Sequence, residues 1–114
     1  MKITELVNEL KLTVFSGKKG LDREITGGYV SDLLSDVMGN ANEGQVWITL
    51  QNHKNVMAIS SLKELAAVII IRGNIPDEAT LTQSNEEGIP VLGTDEETFI
   101  IAGKIYQLLQ KKAE

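Results

Sequence analysis

The chain has 114 residues, is 42% hydrophobic and 24% charged, and carries a net charge of −5, a profile that fits one ordinary globular domain. It contains no cysteine and a single histidine, His53, which excludes disulfides, thiol nucleophiles, thiolate metal sites and multi-histidine zinc centres. The acidic balance and the 4% aromatic content argue against the basic face and the stacking platform that nucleic-acid binding requires.

The longest apolar run, Leu65 to Ile71, is far short of the roughly 20 residues of a membrane-spanning helix. The N-terminus carries Lys2 and Glu5 with no signal-peptide core after them, so the expected location is cytoplasmic. No Ser/Gly-rich or Pro-rich linker and no internal repeat occurs. Residues 1–114 are therefore expected to form a single domain.

In chain order, Ile3, Leu6, Val7 and Leu10 mark one face of a helix over Lys2–Lys11. A strand is expected at Leu12–Phe15, a turn at Gly17-Lys18-Lys19-Gly20, and a second strand at Glu24–Val30, with glycines inside it that suggest a bulge or a close backbone approach. Val30, Leu33, Leu34, Val37 and Met38 repeat with helical spacing, so a helix capped by Ser31 or Asp32 and ended by Gly39 is predicted.

Val46–Leu50 is β-branched and aromatic, the composition of a strand, with Trp47 in the core. A helix over His53–Glu64 should bury Val56, Ile59, Leu62 and Leu65. Ala67–Ile71 is apolar throughout, as expected of a strand buried on both faces of a parallel sheet. Pro76-Asp77-Glu78 opens a helix ending near Gly88, and Ile89–Leu92 is a short strand. Thr94 and Glu97 have capping-box spacing before a last helix over Asp95–Lys111, with Phe99, Ala102, Ile105, Tyr106 and Leu109 on one face. This alternation implies right-handed βαβ crossovers and a mostly parallel sheet covered by helices on both sides.

Ligands of open α/β sheets bind beyond the carboxyl ends of the strands. Those ends lead into Ser31-Asp32, Gln51-Asn52-His53-Lys54-Asn55, Arg72-Gly73-Asn74 and Gly93-Thr94-Asp95. Gln51, Asn52, His53 and Asn55 offer donors and acceptors without fixed charge, Arg72 could grip a carboxylate or phosphate, and Thr94 stands at a helix start. The competing reading is a solvated loop in which Asn52 caps a helix. No recognisable nucleophile accompanies His53. Neither Gly17-Lys18-Lys19-Gly20 nor Gly27-Gly28 has phosphate-loop or dinucleotide spacing, and Asp77, Glu86 and Glu87 read as a solvated helix face.

Asp22-Arg23 and Thr26-Gly27-Gly28, separated by Glu24-Ile25, resemble the Asp-Arg-Thr-Gly-Gly signature of the DRTGG domain. The stretch Gly28–Met38, Val46–Gln51 with His53, Asn55 and Val56, Ala67–Ile71 and Gly88–Leu92 are similar to small stand-alone members of that family. The resemblance implies a three-layer α/β/α sandwich like the N-terminal domain of HPr kinase/phosphorylase. It also implies a regulatory or dimer-forming role beside catalytic or sensory partners, as in long phosphotransacetylases and CBS-containing pyrophosphatases. The kinase chemistry belongs to a separate P-loop domain, and no P-loop motif occurs here.

The expected function is thus a non-catalytic regulatory or interaction module that forms a homodimer and acts with a partner enzyme or signalling protein. No cofactor, metal, nucleic acid or membrane is expected. The alternative is a sensor binding a nucleotide or anionic metabolite through Gln51, Asn52, His53, Asn55, Arg72 and Thr94. An enzyme using His53 ranks third.

Overall fold

The alternating pattern produces a chain order of α1 (Ile3–Leu10), β1 (Thr13–Ser16), a 3-10 turn (Lys18–Gly20), β2 (Gly27–Val30), α2 (Leu34–Asn40), β3 (Gln45–Thr49), α3 (Asn55–Leu62), β4 (Ala67–Ile70), α4 (Glu78–Glu87), β5 (Val91–Gly93) and α5 (Thr98–Ala113). These elements are those of a computed structural model that describes residues 1–113. The strands form one sheet in the order β1-β5-β4-β3-β2. Strands β2 to β5 are parallel, and β1 is antiparallel to β5.

Strand periodicity divides the core in two. Val46, Ile48, Ala67, Ile69 and Leu92 point to one face and pack with Ile3 and Leu6 of α1 and Ile101 and Ile105 of α5. Trp47, Val68, Ile70 and Val91 point to the other, against Val37, Val56, Met57 and Ile59. Helix α4 packs beside α3 and contributes buried Thr80 and Ser84. The Ser84 hydroxyl donates to Ile89 O at 2.6 Å and accepts from the Ser16 hydroxyl at 2.8 Å, so this polar layer is satisfied where apolar packing is thin. The result is the expected three-layer α/β/α fold with a mostly parallel sheet.

Both ends of the sheet are edges of different character. At β1 the register slips between Val14 and Ser16, a bulge at Phe15, and a Cβ on Gly93 would collide with the Phe15 ring. At β2 the pairing with β3 is regular through all four residues, and no strand among the described residues pairs with its outer side.

Several boundaries differ from the sequence expectation. Val30 belongs to β2, and α2 begins only at Leu34. The spacing from Val30 to Met38 therefore spans a strand end and a helix start, and of that set Val37 alone is fully buried while Val30, Leu33 and Met38 are exposed. Ser31 accepts from Leu33 N–H at 3.1 Å, a local turn, and Asp32 is engaged elsewhere. Leu62 is exposed because α3 ends there, and Leu65 is buried just beyond it. The Thr94–Glu97 capping box does not form. The Thr94 hydroxyl accepts from Glu96 N–H at 3.2 Å, and α5 starts four residues later, at Thr98.

Gly17 has φ +72°, and a Cβ there would overlap the Ile89 carbonyl and Pro90 backbone. Gly17→Ala is expected to cost about 2–4 kcal/mol, from left-handed strain plus a backbone clash; urea unfolding of the variant measures it.

Candidate functional site

Because β2 to β5 are parallel, the four strand-end segments share one edge of the sheet, as a ligand site there requires. Several side chains at that edge are tied to the backbone of the neighbouring segments. Asp32 Oδ1 accepts from the Thr49 hydroxyl at 2.8 Å and from Leu50 N–H at 2.7 Å. Gln51 Nε2 donates to Asp32 O at 2.8 Å. Asn74 Nδ2 donates to Leu50 O at 3.1 Å, and Asn52 Nδ2 to Ile75 O at 3.0 Å. Gly73 N–H and Arg72 N–H donate to Thr94 O at 2.9 Å and Glu96 O at 3.0 Å. The first three segments are thus sewn together by amide and carboxylate side chains, and Arg72-Gly73 is joined to the segment after β5 through backbone alone, these bonds replacing missing ladder partners.

His53, Asn55 and Arg72 are exposed, and among the described residues their side chains make no hydrogen bond. Arg72 holds a left-handed backbone, φ 57°, which places its amide on the Glu96 carbonyl. Thr94 lines a mixed cavity of about 440 Å³ with Lys11, Asp95, Glu96 and Lys104. Gln51, Asn52, His53, Asn55 and Arg72 line none of the described cavities. The structure therefore brings the six candidate residues to a common edge without gathering them around one pocket.

The signature residues lie at the opposite, amino-terminal edge. The Thr26 hydroxyl donates to Glu43 O at 2.8 Å and its N–H to Gly44 O at 2.9 Å. Gly27 and Gly28 then pair with Gln45 and Val46. Arg23 O accepts from Ile3 N–H at 3.0 Å, and Asp22 is exposed. Thr26 and Arg23 thus fasten the start of β2 to β3 and to α1. Nearby, Arg23, Glu24, Glu43, Glu64 and Glu87 rim a cleft of about 400 Å³. There the hydrogen bond and charge of Glu64 raise the pKa of Glu43.

A third feature was not anticipated. Helix α5 carries more apolar surface than the core uses. Ile101 and Ile105 are buried, but Phe99 and Tyr106 are 85% and 65% exposed. Of the expected face of Phe99, Ala102, Ile105, Tyr106 and Leu109, Ile105 is buried and Ala102 and Leu109 pack half-buried against the core, whereas Phe99 and Tyr106 turn outward and Ile101 takes their place. The leftover stripe and β2 enclose an open apolar groove of about 690 Å³, lined by Gly28, Val30, Ile48, Phe99, Gly103 and Tyr106 among others. Among the described residues, no charged one lines it. The signal in the sequence was the breadth of the apolar arc on α5, wider than one buried stripe needs.

The sequence matches no family model and no curated protein. Among solved structures, it is similar to the CBS and DRTGG domains of the regulatory region of Clostridium perfringens pyrophosphatase, solved in complex with its activator diadenosine tetraphosphate, with a TM-score of 0.68 and 12% identity. The match covers 89% of this chain and 44% of that one, so the chain spans less than half of that regulatory region. At this identity the likeness concerns the fold, which is DRTGG-like.

The Thr80 hydroxyl and amide hold Asp77 below its ordinary pKa, and the Tyr29 hydroxyl, then Ser31 and Asn40, do the same for Asp36. A carboxyl whose folded pKa is depressed stabilises above its unfolded value and loses that contribution as pH falls through the folded one. The urea midpoint should fall as pH drops from about 5 to about 3. Asp77→Asn, which keeps a capping oxygen, should flatten that dependence.

Proposed function

We propose that the chain is a non-catalytic regulatory or interaction module of the DRTGG kind. It self-associates and acts with a partner enzyme or sensor in the cytoplasm, residues 1–114 serving as one such domain. The likeness to the N-terminal domain of HPr kinase/phosphorylase belongs to the same proposal. The observation that carries it is the uncharged apolar groove between β2 and α5, with Phe99 85% exposed beside it. An exposed apolar surface of this kind marks an interaction site. The DRTGG-like fold, shared with part of a regulatory region, supports the same reading. Sedimentation equilibrium between micromolar and millimolar protein should give a mass rising from one chain to two; a single-chain mass throughout would remove self-association.

A second reading is favoured by the exposure of His53, Asn55 and Arg72 on one sheet edge. It makes that edge the site of an anionic ligand such as a nucleotide. Diadenosine tetraphosphate, the activator bound in the similar regulatory region, is the first probe. At 100 times its Kd, a ligand specific for the native state adds about 2.7 kcal/mol, a rise in Tm of about 10 °C. Arg72→Ala should abolish the rise. If the variant shifts as much as the parent, the site lies elsewhere.

A further inference from the structure

The groove between β2 and α5 has features that the chain by itself does not explain. Gly103 lies inside α5, where glycine is unfavourable, yet a Cβ at that position would meet nothing within 4 Å. At Gly28 an added Cβ would find Val46 at 3.8 Å, an ordinary contact, although glycine also weakens a strand interior. Both residues line the groove. No described residue closes on the backbone at either position, so both are open to a partner that approaches from outside.

The surface itself indicates what approaches. Phe99, Gly103 and Tyr106 follow one another at i, i+4 and i+7, so a single helix face carries two projecting rings with a gap between them. Placed antiparallel across a two-fold axis between Ala102 and Gly103, such a face meets its own complement, Phe99 of each copy opposite Tyr106 of the other with the bare Gly103 backbones at the crossing. Charge bears on where two copies can meet. Each chain carries −5, so two copies repel through most of their surfaces, whereas the groove has no charged lining. A basic partner would gain nothing from this face and much from the glutamate-rimmed cleft at the other end of the sheet.

We propose that a second copy of this chain occupies the groove, with the two α5 helices crossing near Ala102 and Gly103 and Phe99 and Tyr106 of each seated against the other. The mate also covers Val30 and the unpaired side of β2. This rests on the self-association proposed above and assigns it a surface. A stable interface of this type buries about 1,200–2,000 Å² in all, with aromatic residues at its centre carrying most of the affinity.

The test combines sedimentation with cross-linking. Phe99→Glu and Tyr106→Glu, at exposed positions, should each raise the dimer dissociation constant about 30-fold or more. Leu62→Glu, equally exposed but outside the groove, should leave it unchanged. Gly103→Leu should weaken the dimer while keeping native circular dichroism, because the monomer has room for the side chain. The parent has no cysteine, so Ala102→Cys supplies one thiol per chain and should form a disulfide-linked dimer under mild oxidation. A dimer that survives both glutamate variants and gives no Ala102→Cys cross-link overturns this surface and leaves self-association standing. A parent that stays monomeric to about 1 mM, the affinity of the weakest complexes, overturns both. If the parent is monomeric and an apolar fluorescent probe is displaced from the groove by Tyr106→Glu, the occupant is a small apolar molecule, which likewise overturns the proposal.

Discussion

Ala67 to Ile70 has no polar side chain on either face of its strand, and all four residues are buried. A strand of this composition is stable only at the centre of a sheet with apolar cover above and below. The other elements follow from that demand. β3 and β5 flank it, α1 and α5 cover one face, and α2 and α3 cover the other. Parallel neighbours need crossover connections, so the chain must alternate strand and helix. It also follows that all four carboxyl ends open on the same side, where Asp32, Gln51, Asn52 and Asn74 lace the loops together.

The parts of the fold legible in the sequence are those where one local pattern dominates. The buried run of β4, the β-branched β3 and the amphipathic α1 are all of this kind. Trp47 is fully buried, its indole N–H donating to Ser31 O at 2.8 Å. The pattern misleads where two periods coincide. Val30 and Leu33 fit a helical stripe by number, but the helix begins after them, because Val30 pairs with Ile48 in the sheet. The capping-box spacing of Thr94 and Glu97 failed for a related reason. Residues 94 to 97 also serve the strand-end loops, and Glu96 O and Thr94 O accept the amides of Arg72 and Gly73.

The site was legible to a lesser degree. Sequence reasoning brought the polar loops to one sheet edge, and parallel pairing does so. It could not tell which polar groups were committed to long-range hydrogen bonds, since Gln51 meets Asp32 and Asn52 meets Ile75 across sequence separations of 19 and 23 residues. Helix α5 raised the converse difficulty. Its apolar arc is broad enough to satisfy a core face in more than one rotation. Only the position of the sheet beneath it decides that Ile101 and Ile105 go inward while Phe99 and Tyr106 do not.

The bulge at Phe15 bears on how this molecule can grow. A regular edge strand is a template to which further chains can add, and a sheet with two such edges can polymerise without limit. Here the β1 end is kinked by its extra residue, and the chain leaves the strand into a 3-10 turn. Among the described residues only the β2 end remains regular. A sheet with one receptive margin and one spent margin can join a mate once and then has nowhere left to extend. The slipped register between Val14 and Ser16 thus denies open-ended strand addition one of the two margins it would need.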